Sequence, residues 1–139
     1  MTELEKFIKE NDVEFCKDRV KDNFLSLLNE KLNINPGDQL RFYIVNYGYL
    51  AYKFVELYGV TASQAMNSDM IRITAHLHKN YDCTKGFIAL EDAGDGDYFL
   101  IDSQDHISEF IPEEEEGIKP LNIKLFDYII ARFKKISIK

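Results

Sequence analysis

The polar turn between Leu90 and Tyr98 restricts this chain more than any other feature. Phe87–Leu90, Tyr98–Ile101 and Ile107–Ile111 are short apolar runs rich in aromatic and β-branched residues, a composition that suits strands. The first two flank Asp92-Ala93-Gly94-Asp95-Gly96-Asp97. Glycine tolerates positive φ and Asp hydrogen-bonds its own backbone in tight turns, so this segment reads as a hairpin connection. Asp102-Ser103-Gln104-Asp105 is a second polar turn before the third run. The whole predicts a three-stranded antiparallel meander.

The same region is charged in one sense only. Between Gly86 and Ile118 there is no Lys or Arg, while Glu91, Asp92, Asp95, Asp97, Asp102, Asp105, Glu109, Glu113, Glu114, Glu115 and Glu116 supply eleven of the 24 acids. The remaining thirteen acids face all 17 basic residues, a formal +4, so the net charge of −7 comes entirely from this block. Mixed signs are normal on a surface that is only soluble. A contiguous acidic surface speeds association with a basic protein and repels nucleic-acid phosphates. All eleven acids are therefore candidate contacts for a protein partner.

Before the meander, Leu4, Phe7 and Ile8 predict a short amphipathic helix over residues 2–10. Cys16, Val20, Phe24, Leu27 and Leu28 predict one helix from Glu14 to Leu32. Pro36-Gly37-Asp38 offers a start, with Asp38 as N-cap, and Leu40, Tyr43, Ile44 and Tyr47 continue at helical spacing to a cap at Gly48. Arg41–Val45 also suits a strand, but the start and stop signals favour a helix. Tyr49–Leu57 reads as a strand and residues 59–68 as a loop. A helix capped by Ser68 or Asp69 carries Met70, Ile73, Thr74 and Leu77 on one face. After the meander, Gly117–Pro120 reads as a linker, with Asn122 capping a last helix through Ile123, Phe126, Ile130 and Phe133. Helices first, a mostly antiparallel sheet in the second half and a closing helix define a single α+β domain over residues 1–139.

Composition and motifs exclude several function classes. Hydrophobic content of 45% rules out general disorder, and no apolar run approaches the ~20 residues of a membrane span. Cys16 and Cys83 lie outside any C-x-x-C, and MTELEKFIKE lacks a secretory pattern, so a reduced cytoplasmic protein is expected. His76 and His78 are two apart and cannot clasp a metal as an i, i+4 pair does. Counted as a calcium loop from Asp95, the chain puts Phe99 and Leu100 where a ligand and a Gly belong, so no metal or cofactor is expected. Paired carboxylates would be the one enzymatic device at hand, and any acidic surface supplies them.

Three segments together resemble the SUKH superfamily: NPGDQLRFYIVNYG, FIALEDAGDGDYFLIDSQDHISEFIPEE and LNIKLFDYIIARF. This group includes the yeast cell-wall-synthesis regulator and many bacterial immunity proteins, and the likeness, over residues 14–134, is nearest to the antitoxin members. Many relatives place a Trp after the helix-ending glycine, where this chain has Tyr49. The resemblance implies a curved, mainly antiparallel sheet flanked by helices, with Gly94, Asp95, Gly96 and Asp97 as its characteristic turn. It implies a non-enzymatic domain that blocks a cognate toxin, often a nuclease. The alternative it leaves is a regulatory scaffold of the same fold that binds a host protein.

Overall fold

The computed structural model describes residues 2–18, 23–60 and 68–137. In chain order the elements are α1 (Glu3–Glu10), β1 (Glu14–Phe15), α2 (Phe24–Leu32), α3 (Asp38–Tyr47), β2 (Leu50–Tyr52), β3 (Val55–Leu57), α4 (Asp69–Asn80), β4 (Ile88–Gly94), β5 (Asp97–Ile101), β6 (His106–Phe110), β7 (Ile118–Lys124) and α5 (Leu125–Ser137). They form an α+β fold with two antiparallel sheets, β1-β2-β3 and β4-β5-β6-β7. The sheets meet where Tyr58 N–H donates to Leu90 O at 2.7 Å.

The larger sheet is covered on both sides. Register places Ile88, Ile101 and Ile107 in one row and Ala89, Leu100 and Ser108 in the next, on opposite faces. The first row joins the main core with Leu125, Ile129 and Phe133 of α5, and Ala89 and Leu100 pack with Leu77 of α4. Burial on two faces is why these strands read as continuous apolar runs without alternation.

Most of the expected elements form, among them α1, the helix from Asp38 with Gly48 at its end (φ 74°), and α4 capped by Ser68. Asp38 is the first residue of its helix and not the cap: Gly37 holds the cap position, and the free N–H groups go to Asp105. The meander is present as β4, β5 and β6. Three segments differ. The helix expected from Glu14 begins only at Phe24, because Glu14 and Phe15 pair with Ala51 and Leu50 of β2 and Cys16 N–H donates to Tyr47 O at 2.7 Å. Val20 of that stripe lies outside the described residues, as does most of the expected 59–68 loop. Tyr49–Leu57 is a hairpin of two short strands turning at Lys53 (φ 55°), not one strand.

The third difference is β7, where a linker was expected. Ile118, Lys119 and Pro120 pair with Phe110, Glu109 and Ser108 of β6. A strand at the sheet edge tolerates Pro, which has no N–H to give. Asn122 sits at φ 57° inside this strand and caps nothing. The N-terminus of α5 is held from elsewhere: Leu125 N–H donates to Asp105 O at 3.0 Å and Phe126 N–H to Gln39 Oε1 at 2.8 Å.

Candidate protein-binding site

An up-and-down meander alternates its turns, and this splits the acidic block in two. The β4–β5 turn and the β6–β7 loop lie at one end of the larger sheet, and the β5–β6 turn lies at the other. A five-residue strand spans about 17 Å, more than the ~10 Å over which exposed charges are felt at about 0.1 M salt. The two ends are therefore electrostatically separate.

At the first end, Gly94 pairs with Asp97 across a two-residue loop, Asp95 (φ 55°) and Gly96 (φ 85°). Positive φ at both central residues is the hairpin geometry that an Asp-Gly pair favours. Asp92 Oδ1 accepts the Gly94 N–H at 2.8 Å. Asp92, Asp95 and Glu113 to Glu116 are exposed, and Asp97 and Glu109 are half-exposed. Lys119, brought alongside by β7, offsets part of this charge: it lies opposite Glu109 and pairs with Glu114 at 2.6 Å.

At the second end the acids hold the fold. Asp105, only 4% exposed, accepts Gln39 N–H and Leu40 N–H, each at 2.9 Å, and so caps α3 from 65 residues away in sequence. A Cβ on Gly37 would come within 2.7 Å of that carboxylate, so glycine is needed for the approach. Asp102 Oδ1 accepts the Gln104 and His106 N–H groups.

Glu91 is also interior, 3% exposed. Its Oε1 accepts the Tyr128 hydroxyl at 2.6 Å and its Oε2 accepts Arg132 Nε and Nη2 at 3.2 and 2.9 Å. Burial, with the Glu91 carboxylate beside it, holds the Tyr128 hydroxyl far above its ordinary pKa. Glu91 and Asp105 are thus corrected from candidate contacts to structural groups: both are inside and fully engaged. Asp102 is half-exposed but stands at the wrong end to join the others.

The structure adds acids that the block did not include. Glu14, Ala51 and Glu56 are aligned across β1, β2 and β3, so both carboxylates point to one face. Tyr58 is two residues from Glu56 and on the same face; its hydroxyl is held well above its ordinary pKa by burial first and by the Asp92 charge second. Tyr49 donates to Glu14 Oε2, and burial with that bond raises its hydroxyl to about 12. These groups line a cleft of about 710 Å³ between the two sheets, with Phe54 at its mouth. Nothing in the sequence linked Glu14 and Glu56 to Asp92, since they are far apart along the chain.

Among the described residues, no group of three or more His, Cys, Asp or Glu converges to hold a metal ion, and no helix is long and apolar enough to cross a membrane. His76 is exposed, and half-buried His78 donates through Nε2 to Phe87 O at 2.8 Å. The SUKH_5 family model, described as SMI1-KNR4 cell-wall, matches residues 1–121 of the chain. The chain belongs to this SUKH family. No curated protein matches it.

Proposed function

We propose that this chain is a non-enzymatic immunity protein, acting in the cytoplasm, that binds and neutralises a cognate basic toxin domain, in keeping with a nuclease. The observation that carries the reading is the cluster of exposed carboxylates at one end of the sheet: Asp92, Asp95, Asp97, Glu109 and Glu113 to Glu116. A field of one sign suits steering of a basic partner and disfavours direct contact with nucleic acid or an anionic membrane. The family description names the cell wall, and it favours a second reading, a regulatory scaffold binding a host protein.

Co-expression separates the two. The reading frame beside this gene is cloned, and any basic C-terminal domain it encodes is expressed alone and with this protein. Growth arrest by that domain, relieved by the wild type and not by an Asp92→Lys, Asp95→Lys, Asp97→Lys triple variant, is the expected result. A neighbour with no toxic domain shifts the function to the scaffold.

A further inference from the structure

The cleft lies between two strand edges. β3 and β4 are each the last strand of their sheet, and among the described residues no ladder pairs them. They touch at Tyr58 and Leu90. Residues on both sides of that contact, Glu56 on β3 and Asp92 to Gly94 on β4, line the cleft, so the two strand edges diverge from the contact point. Exposed strand edges present unpaired N–H and C=O groups that a further strand can satisfy. The volume, about 710 Å³, falls within the roughly 300–1,000 Å³ of ligand sites.

The side chains say what kind of strand would fit. Among the described residues, Glu14, Glu56 and Asp92 have no Lys or Arg within ion-pair distance, whereas Asp69 is matched by Arg72 and Glu91 by Arg132. On the opposite face of β3, Val55 and Leu57 are buried in the core. Phe54, 69% exposed, is the most exposed of the large hydrophobic residues described. Side chains of an added strand alternate between faces, so alternate residues would meet carboxylates and apolar surface.

We propose that this cleft takes an extended segment of a protein partner in which basic and apolar residues alternate, added as a strand between β3 and β4. Its main chain bonds to the two open edges. Its Arg or Lys side chains pair with Glu56 and Asp92, Glu14 adds to the negative field from β1, and Phe54 packs over it. This rests on the proposed function, for which it names the binding mode.

The test is an NMR titration of the full protein with a short synthetic peptide alternating Arg and Val. The expected result is shifted amides at Glu56, Tyr58, Asp92 and Gly94, with new exchange protection at Glu56, and affinity lowered about tenfold or more by Glu56→Lys with Asp92→Lys. Phe54→Ala lowers it further, and a scrambled peptide with the same charge binds more weakly. Absence of binding, or shifts centred on Asp95 and Glu113 to Glu116 with none at Glu56, overturns the strand-addition model. A toxin neutralised without competition from the peptide overturns the cleft and leaves the proposed function standing. Strand addition without any toxin neutralised does the reverse.

Discussion

The two ends of the larger sheet use the same residue types in opposite ways. At the β5–β6 turn, Asp105 is folded under two helices and accepts both of its N–H donors at 2.9 Å. At the opposite end, Asp95 and Glu113 to Glu116 face solvent. A buried carboxylate is stable only when its oxygens are engaged, and once engaged it is unavailable to a partner. An exposed one contributes little to stability but projects its charge outward. A charge block read along the chain therefore has to be divided by topology before it becomes a site.

The greatest loss of stability is expected at the buried end of the sheet. Asp105→Ala leaves two N–H groups at the start of α3 without an acceptor, and a loss of about 3 kcal/mol is expected from roughly one to three for each such group. Urea unfolding would measure it, and a loss near zero would show that the carboxylate is not the cap. Glu91→Gln comes next, at about 2 kcal/mol in the same assay. Removing one charge of a buried pair costs roughly 3–5 kcal/mol, reduced here because the Arg132 side chain is 29% exposed.

Gly96→Val should cost about 1–2 kcal/mol through its positive φ alone, since nothing lies within 4 Å of the added Cβ. A thermal melt equal to that of the wild type would remove the strain argument. Smallest is Glu113 to Glu116 changed together to Gln, which should leave the melting temperature unchanged while altering association. A fall in stability comparable to that of Asp105→Ala would erase the distinction between the two ends.

The tyrosines give a further check. Tyr43, Tyr58 and Tyr128 all have hydroxyl pKa values raised, chiefly by burial. The folded state then binds more protons than the unfolded state above the ordinary tyrosine pKa of about 10. Stability should be intact below that pH and fall as pH rises beyond it. Denaturant midpoints that stay flat up to strong alkali would contradict the burial of these hydroxyls.

Much of the fold was legible because local chemistry agreed with the tertiary result. Asp95-Gly96 demanded its turn, Ser68 its cap, and the strands of the meander their pairing. The misreadings came where a distant partner overrode a local pattern. Glu14–Phe15 leads into the helical periodicity of Cys16, Val20 and Phe24, yet β2 offered it a strand edge. Ile118–Lys124 contains Pro120 and an Asn that suits a cap, yet β6 needed a neighbour. The site was half legible for the same reason. Charge located the exposed acids, but the burial of Glu91 depends on Tyr128 and Arg132, and that of Asp105 on Gln39 and Leu40. The contribution of Glu14 and Glu56 exists only once three strands are in register.

In the proposed function the exposed acids draw in the partner, while the buried ones hold the fold. The most direct test is the association rate with the basic domain encoded beside this gene, measured by surface plasmon resonance across a range of salt for the wild type and for the Glu113–116→Gln variant. The wild-type rate should fall with rising salt, and the variant should associate several-fold more slowly with a weaker salt dependence and nearly unchanged dissociation. Equal association rates for the two proteins at low salt would contradict it.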